Sequence, residues 1–578
     1  MSATRESAPT LAHACGALGR YDRGRIEAIA AALDLDRPVA VVHEDRQSIL
    51  ALDREPLRWG RRPMPRGLGW SELPPGAASG RHRRWEDFAA GGAGCGLVIA
   101  AGERLVHSSV SGVAPIYYVA DRDAVYFATR IDPLARTSPT RLEVDWDAWA
   151  AILTLDHPIG DRTPFAEIRR LPPFSVLCFR AGRAEVSERR WPWAEIEPDR
   201  KVGAGAGELL ERLRESIARL PAGPIACQLS GGLDSRLCLG LLAEARSGDV
   251  RTLTVDHDGG TDRELRVAAR LARAYGVPHE EVTGAAADYW AEVETRTGRV
   301  DHQFVRPPWR MPLLGPLRRS PSLAVDGFGF DVLAGPGNRY FTAEAIDPRG
   351  RVDAVRALWD RMQARQRHRT SGLRNALSRA LWDSARRQLI ADSRRYRGHP
   401  SRSVLTFYRS RQVRGICMTP YAILGAEVPV AMPLVDDAVA RSALSISFPD
   451  KAGARLYIEL FRALDPRLAE LASTSHGRLP AGSALPTRAR SPLVADPLLA
   501  AVEAGPLAPF VRGSALRRMS RHRRGRPAAP PFSLLGAATF HLWHRRHRDV
   551  LGDVDPGAAF GVAPREPRRT LGVGVGAA

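Results

Sequence analysis

Pro224-Ile225-Ala226-Cys227-Gln228-Leu229-Ser230-Gly231-Gly232-Leu233-Asp234-Ser235-Arg236-Leu237-Cys238-Leu239-Gly240-Leu241-Leu242 decides the fold of this chain. An apolar run enters a glycine turn, and an apolar helical pattern leaves it, so the stretch predicts strand, turn and helix. Two adjacent glycines free the backbone to take φ > 0 and turn its N–H groups inward as an anion nest. The helix behind adds its positive dipole end. Asp234 would repel a phosphate at this place, so it is expected to hold a Mg²⁺ that screens a triphosphate. An ordinary glycine-rich turn is the competing reading for the two glycines alone.

Outward from this turn, the pattern on the C-terminal side alternates helix and strand. Leu209, Leu213, Ile217 and Leu220 recur at helical spacing before it. Arg251–Val255, His279–Val282 and Ser322–Asp326 read as further strands, with a helix from Asp262 to Tyr275 between the first two. Strands separated by helices predict a parallel sheet with its ligand at the carboxyl ends of the strands. A second glycine turn, Asp326-Gly327-Phe328-Gly329-Phe330-Asp331, falls at such an end and brings another acid, Asp331. Residues 354–395 read as arginine-rich helix, Tyr421–Phe448 as helix and loop, and the Gly/Pro/Ala-rich tail 553–578 as disordered.

On the N-terminal side the reading is β-rich. Val39–Val42, Gly96–Ala100, Arg104–His107, Ile116–Val119, Ala124–Ala128, Ser175–Phe179 and Arg183–Ser187 are short strand-like runs, and Asp145–Leu153 is a helical one. Stacked antiparallel sheets are expected, closed by Arg190-Trp191-Pro192-Trp193, with a linker at 198–207. With 578 residues and 44% hydrophobic side chains the chain is long enough for at least two cores. The expected division is 1–200, 201–552 and the tail.

A formal charge of +20 raises nucleic-acid binding as a possibility. Arginine supplies nearly all of it, Lys201 and Lys451 being the only lysines, and it is spread along the chain. Nucleic-acid binding is therefore not expected, and the dense run Arg517–Arg526 reads as linker or docking surface. No run of eighteen apolar residues and no signal-like segment is present, which predicts a cytoplasmic protein without membrane contact. Six scattered cysteines, Cys15, Cys95, Cys178, Cys227, Cys238 and Cys417, form no metal or disulfide pattern.

The S-G-G-x-D-S loop, the later G-x-G-x-D turn, and Glu427-Val428-Pro429 with Met432-Pro433-Leu434-Val435-Asp436 resemble the synthetase domain of class B asparagine synthetases and their relatives. Gly112–Tyr118, Phe127-Ala128-Thr129 and Asp161–Ile168 are similar to that family's glutaminase domain. The resemblance spans roughly residues 35 to 480. It implies an α/β ATP-pyrophosphatase domain with a parallel sheet, preceded by a degenerate glutaminase-like β-sandwich. It implies ATP and Mg²⁺ as cofactors, and a carbon–nitrogen ligase that adenylates a carboxylate, releases AMP and pyrophosphate, and lets an amine capture the acyl group.

Carried over by residue, the resemblance implies that Ser230, Gly231, Gly232, Leu233, Asp234 and Ser235 bind pyrophosphate. Leu229, Val255, Gly327 and Phe328 would lie against the nucleotide, and Asp234 and Asp331 would hold the metal. Three departures narrow the reading. Met1 is followed by Ser2 and a polar leader where the family's glutaminase has a cysteine leading into the first strand, and Cys15 stands further in. Phe328 stands where relatives carry glutamate or tyrosine, which leaves proton removal to water or to another residue, with Glu427 and His476 as candidates. The family's late lysine has its counterpart in Lys451, or in Arg478 or Arg488. Tyr408, Arg409, Arg411 and Arg414 are expected near the acidic substrate or the triphosphate, with a solvated helix face as the alternative.

The resemblance with these losses points to a lasso-peptide macrolactam synthetase, which joins an Asp or Glu side chain of a precursor peptide to the peptide's own N-terminal amine. A leader peptidase and a leader-binding protein would be its partners. Ligation of a small amino acid, as in asparagine or β-lactam synthetases, and a non-catalytic ATP-binding scaffold are the alternatives.

Overall fold

The structure, a computed structural model, describes residues 13–33, 38–53, 57–59, 66–70, 94–100, 103–246, 248–256, 261–335, 353–471, 473–474, 488, 491–516 and 532–564. The first strands in chain order are β1 (Ala14–Gly19), β2 (Ala40–Glu44), β3 (Ser48–Leu52), β4 (Leu57–Trp59), β5 (Arg66–Trp70) and β6 (Cys95–Ala100). They are followed by β7 (Glu103–His107), β8 (Tyr117–Ala120), β9 (Ala124–Ala128), β10 (Arg169–Arg170), β11 (Ser175–Arg180) and β12 (Arg183–Glu188). They form two six-stranded sheets, ordered β10-β8-β9-β1-β3-β2 and β12-β11-β7-β6-β5-β4, with antiparallel pairings throughout. Alternating side chains of the two sheets meet in one core that includes Leu18, Leu50, Leu97, Val106, Phe127 and Leu177. All strand runs expected in this half are present within a residue or two. β1, β3, β4, β5 and β10 are not among the expected runs, and β1, carrying Cys15, lies in the middle of its sheet.

The later strands are β13 (Ile225–Gln228), β14 (Val250–Val255), β15 (His279–Val282), β16 (Leu323–Asp326) and β17 (Val430–Ala431). All pair in parallel, in the order β15-β14-β13-β16-β17. The chain steps outward from β13 on one side, then returns to β13's other flank with β16. This reversal opens a crevice at the carboxyl ends of β13 and β16, where open parallel sheets bind their ligands.

Two expectations at the borders are corrected. Residues 198–207 are no linker: the helix Val202–Ala218 starts inside them and buries Val202, Leu209, Leu213 and Ile217. The tail is ordered at its start. Asp555 caps a short helix, Pro556–Phe560, by accepting from the N–H groups of Gly557 and Ala558, and Gly561 ends it at φ 61°. Residues 565–578 and the run 517–526 lie outside the described residues. Residues 354–395 form two helices, Ala354–Gln366 and Asn375–Ser393.

The C-terminal helices return to the N-terminal half. Trp543, on the helix Phe532–His547, packs against Trp149 and Phe165 with ring centroids 5.1 Å away in each case. Trp149 lies on the helix Trp146–Leu155. No helix among the described residues is long and apolar enough to cross a membrane.

Candidate active site

The residues 229–232 connect β13 to the helix Leu233–Ala245, whose first turn has no side-chain cap and lies in the wall of the crevice. Neither Gly231 nor Gly232 has a positive φ; Gly232 sits at φ −80°, ψ 176°. The expectation of a left-handed nest is therefore corrected. Glycine is needed here for close approach: a Cβ on Gly231 would run into Thr474 and lie 2.9 Å from the Glu264 carboxylate. Ser230 and Ser235 lock the loop, their hydroxyls 2.9 Å apart, and Ser230 Oγ accepts from the Gly232 N–H at 3.2 Å. The Gly231 N–H donates to Glu264 at 2.5 Å.

The second turn follows β16. Gly329 takes φ 103°, a left-handed conformation that suits glycine. Gly327 is held by crowding, since its Cβ would stand 2.8 Å from the Asp234 carbonyl oxygen. The two turns thus touch, and Asp331's N–H donates to Asp234 Oδ2 at 3.2 Å. Burial, and next the negative charge of Asp331, push the Asp234 carboxyl well above the usual carboxylate range. Tyr457, buried and distant in sequence, donates its hydroxyl to Asp234 Oδ1. Gln412 Nε2 donates to the Gly329 carbonyl at 2.8 Å and to Asp331 Oδ1 at 3.3 Å.

These groups line a cavity of about 540 Å³. Of the residues singled out in the sequence, Leu229, Ser230, Gly232, Leu233, Asp234, Ser235, Val255, Phe328 and Asp331 lie in its wall. Gly231 and Gly327 stand behind it as packing points. Phe328 is half-buried in the cavity wall and carries no base: the guanidinium of Arg310 lies 4.8 Å from its ring and 4.5 Å from that of Trp309. Arg310 also pairs with Asp326 and donates to Gln228 at 2.9 Å.

Glu427 and Lys451 are not in the cavity wall. Glu427 bridges Arg299 and Arg318, tying two helices that flank the sheet. Lys451 is wholly buried; its ammonium donates to the carbonyls of Leu333, at 2.9 Å, and Ala443, ending two helices. Burial pushes its pKa down to about 7. Arg488 is likewise spent on Glu292, at 2.8 Å. His476 and Arg478 lie outside the described residues.

The stretch Tyr408–Ile416 is a π-helix with every residue buried, so the solvated-face alternative fails. Only Arg411 of its four expected residues lines the cavity. Tyr408 packs on Trp193 with ring centroids 4.9 Å apart, Arg409 pairs with Glu188 at 3.4 Å, and Arg414 reaches Gln303 at 2.9 Å.

Arg296, Arg306 and Arg365 also line the cavity, and nothing in the local sequence marked them. Arg306 and Arg411 share one carboxylate, that of Asp156 at the end of the helix Trp146–Leu155, at 2.7 and 4.0 Å. Arg369 joins it from behind at 2.9 Å. Asp156 is fully buried at φ 75°. Burial would raise its pKa, but Arg306, Arg369 and Arg411 hold it below the usual carboxylate range.

Cys15 is buried in β1, and burial pushes its thiol up to about 12, which keeps it protonated and unreactive. All six cysteines are buried. Among the described residues no three His, Cys, Asp or Glu side chains gather as a metal site. The pair Asp234 and Asp331 nevertheless fits one divalent ion of the magnesium type. Such an ion takes one or two carboxylates and completes its shell with phosphate oxygens and water, and it would relieve the repulsion within the pair.

Comparison with known proteins adds two findings. The family described as Asparagine synthase matches residues 208–545. The chain is also similar to Asparagine synthetase [glutamine-hydrolyzing] 1 of Bacillus subtilis (strain 168). The two are 22% identical over 253 residues, a stretch covering 42% of this chain and 38% of that relative. The likeness therefore spans well under half of the relative's length.

Proposed function

Because the chain belongs to the asparagine synthase family, we propose that it is an ATP-dependent amide-forming ligase. In this reading it activates a carboxylate as its adenylate, releases AMP and pyrophosphate, and passes the acyl group to an amine. The observation that carries the reading is the meeting of Asp234 and Asp331 at two neighbouring strand ends, beside the open amides of the helix Leu233–Ala245. Those amides and the Ser230 and Ser235 hydroxyls would receive the leaving pyrophosphate. Asp234 and Asp331 would hold Mg²⁺, which when bound supplies positive charge to the phosphate oxygens as the bond breaks. Tyr457 and Gln412 each hold one of the two carboxylates by a hydrogen bond. Leu229 and Val255 would line the nucleoside.

The finer reading is a lasso-peptide cyclase acting in the cytoplasm. The acyl donor would be an Asp or Glu side chain of a precursor peptide, the amine that peptide's own N-terminus, and the partners a leader peptidase and a leader-binding protein. Two observations support an amine other than ammonia from glutamine. The Cys15 thiol is buried and protonated, and Phe328 packs on Arg310 where relatives of the resembled family carry a glutamate or tyrosine. Holding both ends of one peptide makes the attack intramolecular and removes much of its entropic barrier. In this proposal residues 1–200 are a retained glutaminase-like scaffold and 201–552 the ligase. A second reading, ligation of a small amino acid, is favoured by the size of the cavity, about 540 Å³.

ATP–pyrophosphate exchange tests the proposal. Exchange dependent on a carboxylate substrate and on Mg²⁺, lost in Asp234→Ala with the fold kept, is expected. Nucleotide binding without exchange for any peptide or amino acid offered would favour a non-catalytic scaffold. Cyclised product from a precursor peptide, against amide formed on a free amino acid, separates the two ligase readings.

A further inference from the structure

Two consecutive residues without glycine's freedom, Asp301 and His302, hold a left-handed backbone, at φ 48° and 60°. Such a turn persists only where its surroundings fix it. It follows the helix Tyr289–Arg299 and leads directly into Phe304, Arg306, Trp309 and Arg310 of the cavity wall. What fixes the turn comes from the N-terminal half of the chain. The Asp301 carboxylate accepts from Arg130 Nη2 at 2.9 Å and from the Ile131 N–H at 3.1 Å, so it caps the helix Ile131–Arg136 from outside.

His302 faces both that helix and the C-terminal one. Its ring stands edge-on to that of His547, with centroids 5.7 Å apart. His547 Nε2 meets Asp132 Oδ1 at 3.0 Å, Arg546 holds the same carboxylate at 2.5 and 2.7 Å, and Arg136 stands 3.8 Å from it. His302 is 4% exposed, and its Nδ1 has no hydrogen-bond partner among the described residues. The charged groups of the junction are therefore the carboxylates of Asp132 and Asp301 and the guanidiniums of Arg130, Arg136 and Arg546. His547 and, through Gln303, the Tyr117 hydroxyl are the other titratable neighbours. A proton on His302 would add a further cation to a buried space where cations already outnumber carboxylates. Burial, and next the neighbouring His547, push the His302 imidazole well below its ordinary 6.5.

We propose that the His302 turn is an acid-sensitive latch between the two halves of the chain. With His302 unprotonated the turn is docked and the cavity wall is fixed; protonation of His302 releases the turn, and residues 303–310 with it. The sign follows from linkage. A released imidazole takes its proton at the ordinary value, whereas a docked one resists it. Docking is therefore at full strength above pH 6.5 and weakens as the pH falls through that value, by at most about tenfold per unit. Release also relieves the left-handed backbone at 301 and 302, so a single proton has less to overcome. The latch does not depend on what the cavity binds.

The test is amide hydrogen exchange of the full chain, read by mass spectrometry and corrected for the intrinsic pH dependence of exchange. Between pH 7.5 and 5.5, protection over 300–310 is expected to fall about tenfold, while that of β13 stays within about twofold. His302→Asn cannot take the proton and tolerates the left-handed backbone, so it is expected to erase the fall. A wild-type fall of less than about threefold, an equal fall in β13, or the same fall in His302→Asn would overturn the latch. Should that variant not fold, exchange of the imidazole C2 hydrogen in the wild-type chain reads the titration of His302 itself. Titration well below pH 6.5 is expected, and titration at or above it would overturn the proposal.

Discussion

Asp234 stands where its charge is unfavourable, a cost that the proposed metal-holding role would explain. Its carboxylate is buried beside Asp331, and both burial and that neighbour raise its pKa. Asp234→Asn removes the repulsion and keeps an oxygen for Tyr457. We expect the ligand-free variant to melt about one to three degrees higher than wild type by differential scanning fluorimetry. Mg²⁺-dependent pyrophosphate exchange should fall at least about a hundredfold. A lower melting point would mean that the two carboxylates are already compensated. Lys451 makes a second case. Its folded pKa of about 7 lies below the usual 10.5, so between these values the unfolded chain binds the extra proton. Stability therefore rises with pH from 7 to 10.5, and below pH 7 the cost of the buried ammonium is fully present. Lys451→Met should flatten that slope in denaturant melts taken across the range. Asp234 and Asp331 could be picked from the sequence because each sits in a turn motif. Tyr457, Arg296 and Glu264 could not, because each reaches the cavity from an element whose own pattern is that of an ordinary helix or loop.

At the scale of elements, the glycine loop is recognisable by composition, but its mechanism differs from the one its composition suggests. Gly231 is there to let Thr474 and Glu264 approach, and neither glycine turns the backbone left-handed. Glu264, from the first turn of the helix Arg263–Ala274, occupies the Gly231 amide at 2.5 Å. A phosphate arriving at that amide must displace it, and the two negative charges oppose each other. Glu264→Gln should lower the Kd for Mg-ATP by about three- to tenfold in equilibrium titration, and an unchanged or higher Kd would show that the carboxylate does not compete. The π-helix Tyr408–Ile416 defeated the reading of its arginines for a related reason. A wide helix buried on all sides turns Tyr408, Arg409, Arg411 and Arg414 in different directions, and of these four Arg411 alone lines the cavity.

For the whole molecule, the two halves are interlocked. The helix Phe532–His547 lays Phe540 and Trp543 on Trp149, with centroids 4.6 and 5.1 Å away. Its end is fastened by His547 Nε2 to Asp132 Oδ1 at 3.0 Å. Trp543→Ala should cost about 3–5 kcal/mol of stability. It should also loosen the helix Trp146–Leu155, whose last turn leads to Asp156. Hydrogen exchange should report the loosening at 146–156, and protection unchanged there would separate the two halves energetically. The sequence by itself determined most, though not all, of the strand runs, together with the glycine turns and the acids within them, because these depend on short-range periodicity and turn chemistry. Only the tertiary structure decided that Glu427 and Lys451 serve as struts, that Phe328 packs under an arginine, and that Asp156 governs an arginine group from the other half. Those roles depend on which distant side chains share one buried space, and burial is set by the packing of whole layers, which no local pattern records.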